Sequence, residues 1–373
     1  MRRGVGEAPV TIVLPHRETF GPVGGGAVAM VVRRLATGGA RYTVTVVGRS
    51  FAGERFGGVP FQAVRVPGWL PLSATQRYLV GVARVLAGMP VGPVEVHNKP
   101  DVALWLAWLF PRRPVSLFLH NDPRTMRGAR SVAARRRLLR RLAQVVTVSE
   151  HVRSAFLDGL GDATGPVVLH NALEPLPPGL PAAERERVIL FVGRMVADKG
   201  ADLFVEACAR AMPGLPGWRA EMIGADGFSA DGPVTPFIRA LRPRAAAAGV
   251  RLLGHRPPAD VLAAMGRAAV VVVPSRWAEP FGLTALEAMA CGAALVCSGR
   301  GGLAEVMGET GVRVEPEDTA GFAAALVRVA GDARLRAALG EAGVARAREV
   351  FGLAAAVARL DGMRDGIVAT YRV

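Results

Sequence analysis

Four residues in the second half of this 373-residue chain, Arg194, Lys199, Glu279 and Glu287, have the types and spacing to hold a phosphorylated sugar. Arg194 and Lys199 lie in FVGRMVADKGADLFVEACARA (191–211), between an apolar run ending at Val192–Gly193 and a helix expected from about Ala201. The first N–H groups of a helix have no partner within it, and its dipole favours anions, so two cations there would suit a diphosphate. A surface loop with ordinary charges would look much the same over so short a stretch. Lysine occurs only at Lys99 and Lys199 among 46 Lys+Arg, which points to a need for a compact ammonium at Lys199. Glu279 and Glu287 belong to PSRWAEPFGLTALEAMACGAALVCS (274–298), where Glu279 reads as an exposed loop carboxylate before a helix starting near Leu283. Glu287 falls about one turn into that helix, and the N–H groups of the helix start lie between the two carboxylates. Carboxylates suit vicinal hydroxyls because they accept two hydrogen bonds at once, and charge-assisted bonds are the stronger ones. A glutamate near a helix start also has a plain dipole explanation.

A third motif lies near the amino terminus. In HRETFGPVGGGAVAMVVRRLA, Gly24, Gly25 and Gly26 precede a helix expected from Ala27. Glycines there let backbone approach a phosphate or sugar, although the spacing is not the dinucleotide fingerprint and a tight turn is the simpler account. His120 closes SLFLHNDP and His97 closes VEVHNKP, both at strand ends, with Asn98 beside His97. Ser149 and Asn171 follow strands as well, where a helix cap and a turn residue are the ordinary readings.

These residues need strands to end where they stand. Short β-branched runs at 10–15, 43–48, 115–120, 145–149 and 166–171 alternate with helix-like stretches at 27–37, 75–87 and 131–143. This alternation predicts a parallel sheet covered by helices. The Pro-rich stretch 174–187 interrupts it, and a second alternation runs through 188–193, 219–224, 250–254, 269–274, 293–298 and 311–316. The predicted layout is a first domain at 1–175, a linker at 176–187, a second domain at 188–350 and a C-terminal helix at 351–373 packing back on the first. The predicted architecture is α/β: two doubly wound Rossmann-like domains facing a central cleft. Ligands of such sheets bind beyond the carboxyl ends of the strands, where the motifs above lie.

The Arg194–Lys199 turn and the Glu279/Glu287 pair inside EPFGLTALEAMACG resemble the donor site of glycosyltransferase family 4, a retaining family of GT-B fold. The likeness covers roughly residues 188–330. It implies that Arg194 and Lys199 hold the diphosphate of a nucleotide sugar, that Glu279 meets sugar hydroxyls, and that Glu287 holds the ribose. The backbone of Phe281, Gly282 and Leu283 would meet phosphate, Gly25 and Gly26 would reach the donor phosphates from the first domain, and His120 would stand near the transferred sugar. Apart from the resemblance, the strand-end placing of His97 and Asn98 would suit the acceptor side, and the base is expected near 252–258. The implied reaction retains anomeric configuration, the acceptor hydroxyl attacking on the face the diphosphate leaves, with cations and helix termini stabilising that leaving group. No aspartate pair has the placing a metal-bound diphosphate needs, so neither metal nor cofactor is expected. A sugar-nucleotide epimerase or a noncatalytic nucleotide-sugar-binding protein could share the architecture.

Composition narrows the setting. Apolar residues make up 51% and charged residues 21%, which excludes a disordered or fibrous chain. Cys208, Cys291 and Cys297 have neither disulfide nor zinc spacing, as a reducing cytoplasm would lead one to expect. The apolar stretch at 10–14 is too short for a signal-peptide core, and no run approaches the ~20 residues that span a bilayer. The net charge of +15 is concentrated in the first half, where RGARSVAARRRLLRRLAQVV sets Arg130, Arg135, Arg136, Arg137, Arg140 and Arg141 among leucines. A solvated helix face is one reading. A surface for anionic lipid at the inner membrane face, or for a phosphorylated acceptor, is another, the acceptor then being a saccharide or a lipid-linked saccharide. Nucleic acid fits poorly, because the run lacks interleaved aromatics.

Overall fold

The computed structural model describes residues 8–22, 24–39, 41–65, 71–161, 164–176, 179–226 and 234–372. The amino-terminal stretch 1–7, and Pro177 and Pro178 of the expected linker, lie outside the described residues. The chain divides into two compact units, one of residues 1–174 with 353–373 and one of residues 175–352.

In the first unit seven strands, β1 (Val10–Val13), β2 (Val44–Arg49), β3 (Phe61–Val64), β4 (Val94–His97), β5 (Val115–Leu119), β6 (Gln144–Thr147) and β7 (Val167–Val168), form one sheet. Its order is β3-β2-β1-β4-β5-β6-β7 and every pairing is parallel. Strands β1 and β5 are buried on both faces, as strands covered by crossover helices must be, and are largely apolar, whereas β4 between them carries the buried Glu95 and His97. Strand β3 is absent from the sequence-based expectation because it is a four-residue edge strand with a polar Gln62 and little burial. The sheet order reverses between β1 and β4, so a crevice is expected at their carboxyl ends.

The C-terminal helix Leu353–Tyr371 is tied to this sheet by charge. Arg364, 1% exposed, donates from Nε and Nη2 to both oxygens of Glu95 in β4 at 2.8 and 2.9 Å. Asp361 also accepts from Arg364 and from the Arg41 backbone N–H, and Asp365 accepts from the Arg41 side chain and the Tyr42 hydroxyl. The boundary falls at Gly352 rather than after residue 350, because Phe351 still packs edge-on against Phe281 of the second unit.

Among the described residues the second unit has six strands, β8 (Glu186–Val192), β9 (Arg219–Ile223), β10 (Val250–Leu252), β11 (Ala268–Val273), β12 (Ala294–Cys297) and β13 (Gly311–Arg313). They run parallel in the order β10-β9-β8-β11-β12-β13, which reverses between β8 and β11. Phe191, Phe204, Leu241, Val270 and Leu326 are among the side chains filling its core. The expected linker is shorter than 176–187. Glu186 already pairs with Ala268, and Arg185 donates to the carbonyls of Met265, Ala268 and Cys291, so these charged residues are built into the amino-terminal end of the central strands.

Among the described residues no helix is long and apolar enough to cross a membrane.

Candidate active site

The motifs at 191–211 and 274–298 meet at the strand-order reversal of the second unit. After β8 the chain passes Arg194, makes a short 3-10 turn at Ala197–Lys199, and enters the helix Ala201–Ala211. Gly200 joins turn and helix with φ +70°, and a Cβ there would run into the Pro274 carbonyl oxygen after β11. Only glycine satisfies both demands, so the two loops can lie against each other. They are stitched by hydrogen bonds: the backbone N–H groups of Arg276 and Trp277 donate to Asp198 O at 2.9 and 3.1 Å. The Arg276 guanidinium donates to both oxygens of Asp202 at 2.7 and 2.9 Å. Burial would raise the Asp202 carboxyl, but the bonds and charge of Arg276 outweigh it and hold the group below its ordinary range.

This framework brings Lys199 and Glu279 together. Lys199 Nζ donates to Glu279 Oε1, and Ser275 Oγ lies 2.9 Å from the same oxygen. The Lys199 ammonium also stands 5.1 Å from the centroid of the Trp277 ring, within cation–π range. Glu279 is therefore not the exposed loop carboxylate expected from sequence. It is 7% exposed, beside the wholly buried Ser275, because the Gly301–Gly302 backbone packs on its own: the Gly302 N–H donates to Glu279 O at 2.6 Å. A Cβ at Gly301 would clash with that carbonyl, which accounts for the glycines after β12.

The helix Leu283–Ala290 begins where the sequence places it, with Gly282 as its N-cap at φ +108° and no side-chain cap. Leu283, Thr284 and Glu287 form its less buried stripe, so Glu287 stands one turn along the same face as the helix start. Phe281 is core, 3% exposed and against Phe351, so it can offer a ligand only its backbone. Arg194 is half-buried in the loop after β8. Ser275, Arg276, Trp277 and Asp202 were passed over in the sequence. Their only signal there is adjacency to the motifs.

In the first unit the sequence-chosen residues divide. His97 and His120 end neighbouring strands β4 and β5, with His97 Nδ1 2.8 Å from His120 Nε2 and ring centroids 5.1 Å apart. His97 also stacks on Phe118 at 4.8 Å. Asn98, at the left-handed φ of 53°, accepts the His120 N–H on Oδ1 at 2.8 Å and donates its own N–H to Phe118 O, so it locks the strand ends. Burial pushes the His120 imidazole down to about 4, and burial, with His120 and Arg364 nearby, holds His97 well below its ordinary value.

Gly25 and Gly26 have local reasons to be glycine. A Cβ at Gly25 would meet Gly21 O, and one at Gly26 would meet the Glu18 carboxylate. That carboxylate accepts the Ala29 N–H at 3.1 Å, at the start of the helix Ala27–Thr37, so in this structure a side chain of the chain itself takes the place expected for a phosphate. Ser149 is a helix cap, its Oγ accepting from Val152 N–H at 3.1 Å. In the Arg-rich helix, which spans Val132–Arg141, Arg135 leaves the surface set: it is buried and donates to the carbonyls of Ala129, Arg130 and Asp158. Arg136, Arg137, Arg140 and Arg141 remain exposed. Among the described residues no three His, Cys, Asp or Glu side chains converge as a metal site.

Two doubly wound parallel sheets make this a two-domain Rossmann-like α/β protein of GT-B fold. Sucrose-phosphate synthase from Thermosynechococcus elongatus superposes with a TM-score of 0.76 over 97% of this chain and 100% of that one, at 20% identity. The Anabaena protein HepE in complex with UDP-glucose superposes with a TM-score of 0.73 over 97% and 98%, at 18% identity. Residues 186–332, in the second unit, match the family model described as glycosyl transferases group 1. The glycogen synthase of Mycobacterium tuberculosis is 34% identical over 192 residues, 50% of this chain and 44% of that one. The chain thus spans less than half the length of the curated relatives it matches.

Proposed function

We propose that the protein is a retaining, metal-independent glycosyltransferase that moves a sugar from a nucleotide-diphosphate sugar to a saccharide or lipid-linked acceptor. The observation that carries this reading is the Lys199–Glu279 pair at the strand-order reversal of the second unit, beside an uncapped helix start and one turn from Glu287. In the structure the ammonium and the carboxylate satisfy each other. A bound donor offers each a better partner, phosphate oxygens for Lys199 and sugar hydroxyls for Glu279, while Glu287 takes the ribose. Arg194, Lys199 and the N–H groups after Gly282 then face the charge that develops as the anomeric C–O bond breaks, which is where fixed cations and dipoles lower a barrier. The acceptor hydroxyl attacks on the face the diphosphate leaves, and the diphosphate takes its proton. The UDP-glucose complex of HepE and the similarity to a glycogen synthase and to D-inositol 3-phosphate glycosyltransferases favour a nucleotide-sugar donor.

In this reading the first unit meets the acceptor, with His120 towards the transferred sugar. The enzyme works in the cytoplasm without a cofactor, and Arg136, Arg137, Arg140 and Arg141 hold it at an anionic membrane face. The deciding experiment incubates the full chain with UDP-, ADP-, GDP- and dTDP-sugars, with and without EDTA, and follows binding shifts, hydrolysis and products. Expected are binding of at least one nucleotide sugar and slow release of its sugar with retained configuration, unchanged by EDTA. Conversion of the donor into an epimer would make the protein an epimerase, and binding without any turnover in the presence of varied acceptors would leave a binding protein. Loss of activity in EDTA with rescue by magnesium would overturn the leaving-group account.

A further inference from the structure

The contact between His97 and His120 is a hydrogen bond between two neutral rings, so one nitrogen donates and the other accepts. The surroundings decide which. His97 is 1% exposed, and its Nε2 is buried without a hydrogen-bond partner. If His120 donated from Nε2, His97 would accept on Nδ1 and carry its own proton on Nε2. That N–H would be buried without an acceptor, near the Arg364 guanidinium whose charge acts on this ring. Orphaned buried N–H groups are rarer and costlier than under-used acceptors. With the proton on His97 Nδ1 instead, Nε2 is a bare acceptor, which costs less to bury unpaired than an N–H and which the nearby positive charge of Arg364 does not oppose. His120 then accepts on Nε2 and must carry its own proton on Nδ1.

We infer that His97 is a positioning residue that fixes His120 in the Nδ1–H tautomer, so that His120 presents to its ligand a neutral hydrogen-bond donor and never a proton acceptor. The surrounding structure supports a fixed ring. His97 is clamped between Phe118 and His120, the His120 backbone is held by Asn98 Oδ1, and Arg364 is locked by Glu95 and Asp361. Burial disfavours a charge on either imidazole, so the tautomer persists at neutral pH. For the transfer proposed above, on which this inference rests for its functional meaning, the consequence is specific. His120 can hold a sugar hydroxyl or an oxygen gaining negative charge, but it cannot take the acceptor's proton, which leaves that proton to the departing diphosphate.

The test is two-bond 1H–15N correlation spectroscopy of the histidine-labelled full chain at neutral pH, with His120 assigned by its loss in His120→Ala. Expected for His120 is a protonated Nδ1 and a bare Nε2. In His97→Asn, whose Nδ2 replaces the Nδ1 donor, the pattern should persist. In His97→Leu, which offers no donor, His120 should become a mixture of tautomers. With the donor identified by the screen above, kcat should fall at least tenfold in His97→Leu with KM little changed, and should largely recover in His97→Asn. A proton on His120 Nε2 in the wild type overturns the inference. So does an unchanged Nδ1–H pattern in His97→Leu, and if that variant does not fold the wild-type and His97→Asn spectra still decide. Wild-type transfer by His120→Ala would instead remove His120 from the reaction while the tautomer result stood.

Discussion

The two units share a plan, a parallel sheet whose strand order reverses once, yet they assemble chemistry at the reversal differently. In the second unit the functional side chains come from two contiguous stretches that follow β8 and β11; Gly200 lets those two loops meet, and Gly282 and Gly301 let the second pack against the segment after β12. In the first unit the histidine pair rests on residues scattered through the chain, ending with Arg364 on a helix that returns to β4 from the far end of the sequence. A site written in one stretch can be read as a motif. A site held by long-range partners emerges only from packing.

The comparison breaks most sharply at Arg364. Removing one partner of a buried ion pair leaves an uncompensated charge, so Arg364→Ala should cost about 3–5 kcal/mol in denaturant unfolding. The double replacement of Glu95 and Arg364 by methionine should recover most of that loss, since a buried pair and well-packed apolar residues are often close in stability. If Arg364→Ala unfolds like the wild type, the C-terminal helix is not what secures the first unit.

Next comes the second unit's own pair. Glu279→Gln keeps the volume of the buried side chain but removes its charge, and should lower transfer by about 1.5–3 kcal/mol, roughly 10- to 150-fold, the range for bonds to charged groups. Thermal unfolding measured beside the kinetics separates loss of chemistry from loss of fold. Wild-type turnover would remove Glu279 from the site. Glu287→Ala, on the helix stripe above it, should weaken binding of the free nucleoside diphosphate by about 1–3 kcal/mol, read by calorimetry. Unchanged nucleotide affinity would place the ribose elsewhere.

The histidine pair gives the first unit a pH signature of its own. His120 titrates at about 4 when folded and near its ordinary value of 6.5 when unfolded. Between these values the unfolded chain binds more protons, so stability rises with pH through this window and falls on acidification, by at most about 1.4 kcal/mol per pH unit for this group. The double variant His97→Asn/His120→Asn should flatten the profile of melting temperature between pH 4 and 6.5. A profile as steep as the wild type's would assign acid sensitivity to other groups. The smallest effect is expected on the surface. Replacing Arg136, Arg137, Arg140 or Arg141 by glutamine should weaken binding to anionic vesicles by about 1 kcal/mol per residue at low salt, with zwitterionic vesicles ignored throughout. Absence of vesicle binding by the wild type would end the membrane reading and leave the donor site untouched.

The sequence alone determined the parallel α/β architecture, the break between two domains, and the strand–turn–helix placing of Arg194, Lys199, Glu279 and Glu287. All of these are local: hydrophobic periodicity, glycine and proline punctuation, and charged residues beside helix starts lie within a few residues of one another. Only the tertiary structure decided that Glu279 is buried against Lys199 rather than exposed, that Glu18 fills the helix start at Gly26, and that Arg135 clamps carbonyls instead of facing solvent. It alone set His97 against His120 and Arg364 against Glu95. Partners separated by 80 residues, as Lys199 and Glu279 are, or by 269, as Glu95 and Arg364 are, leave no periodic trace in one chain. Whether a polar side chain is paired or solvated depends on which segments pack over it, and the energy of a buried charge follows from that packing rather than from the residue's identity.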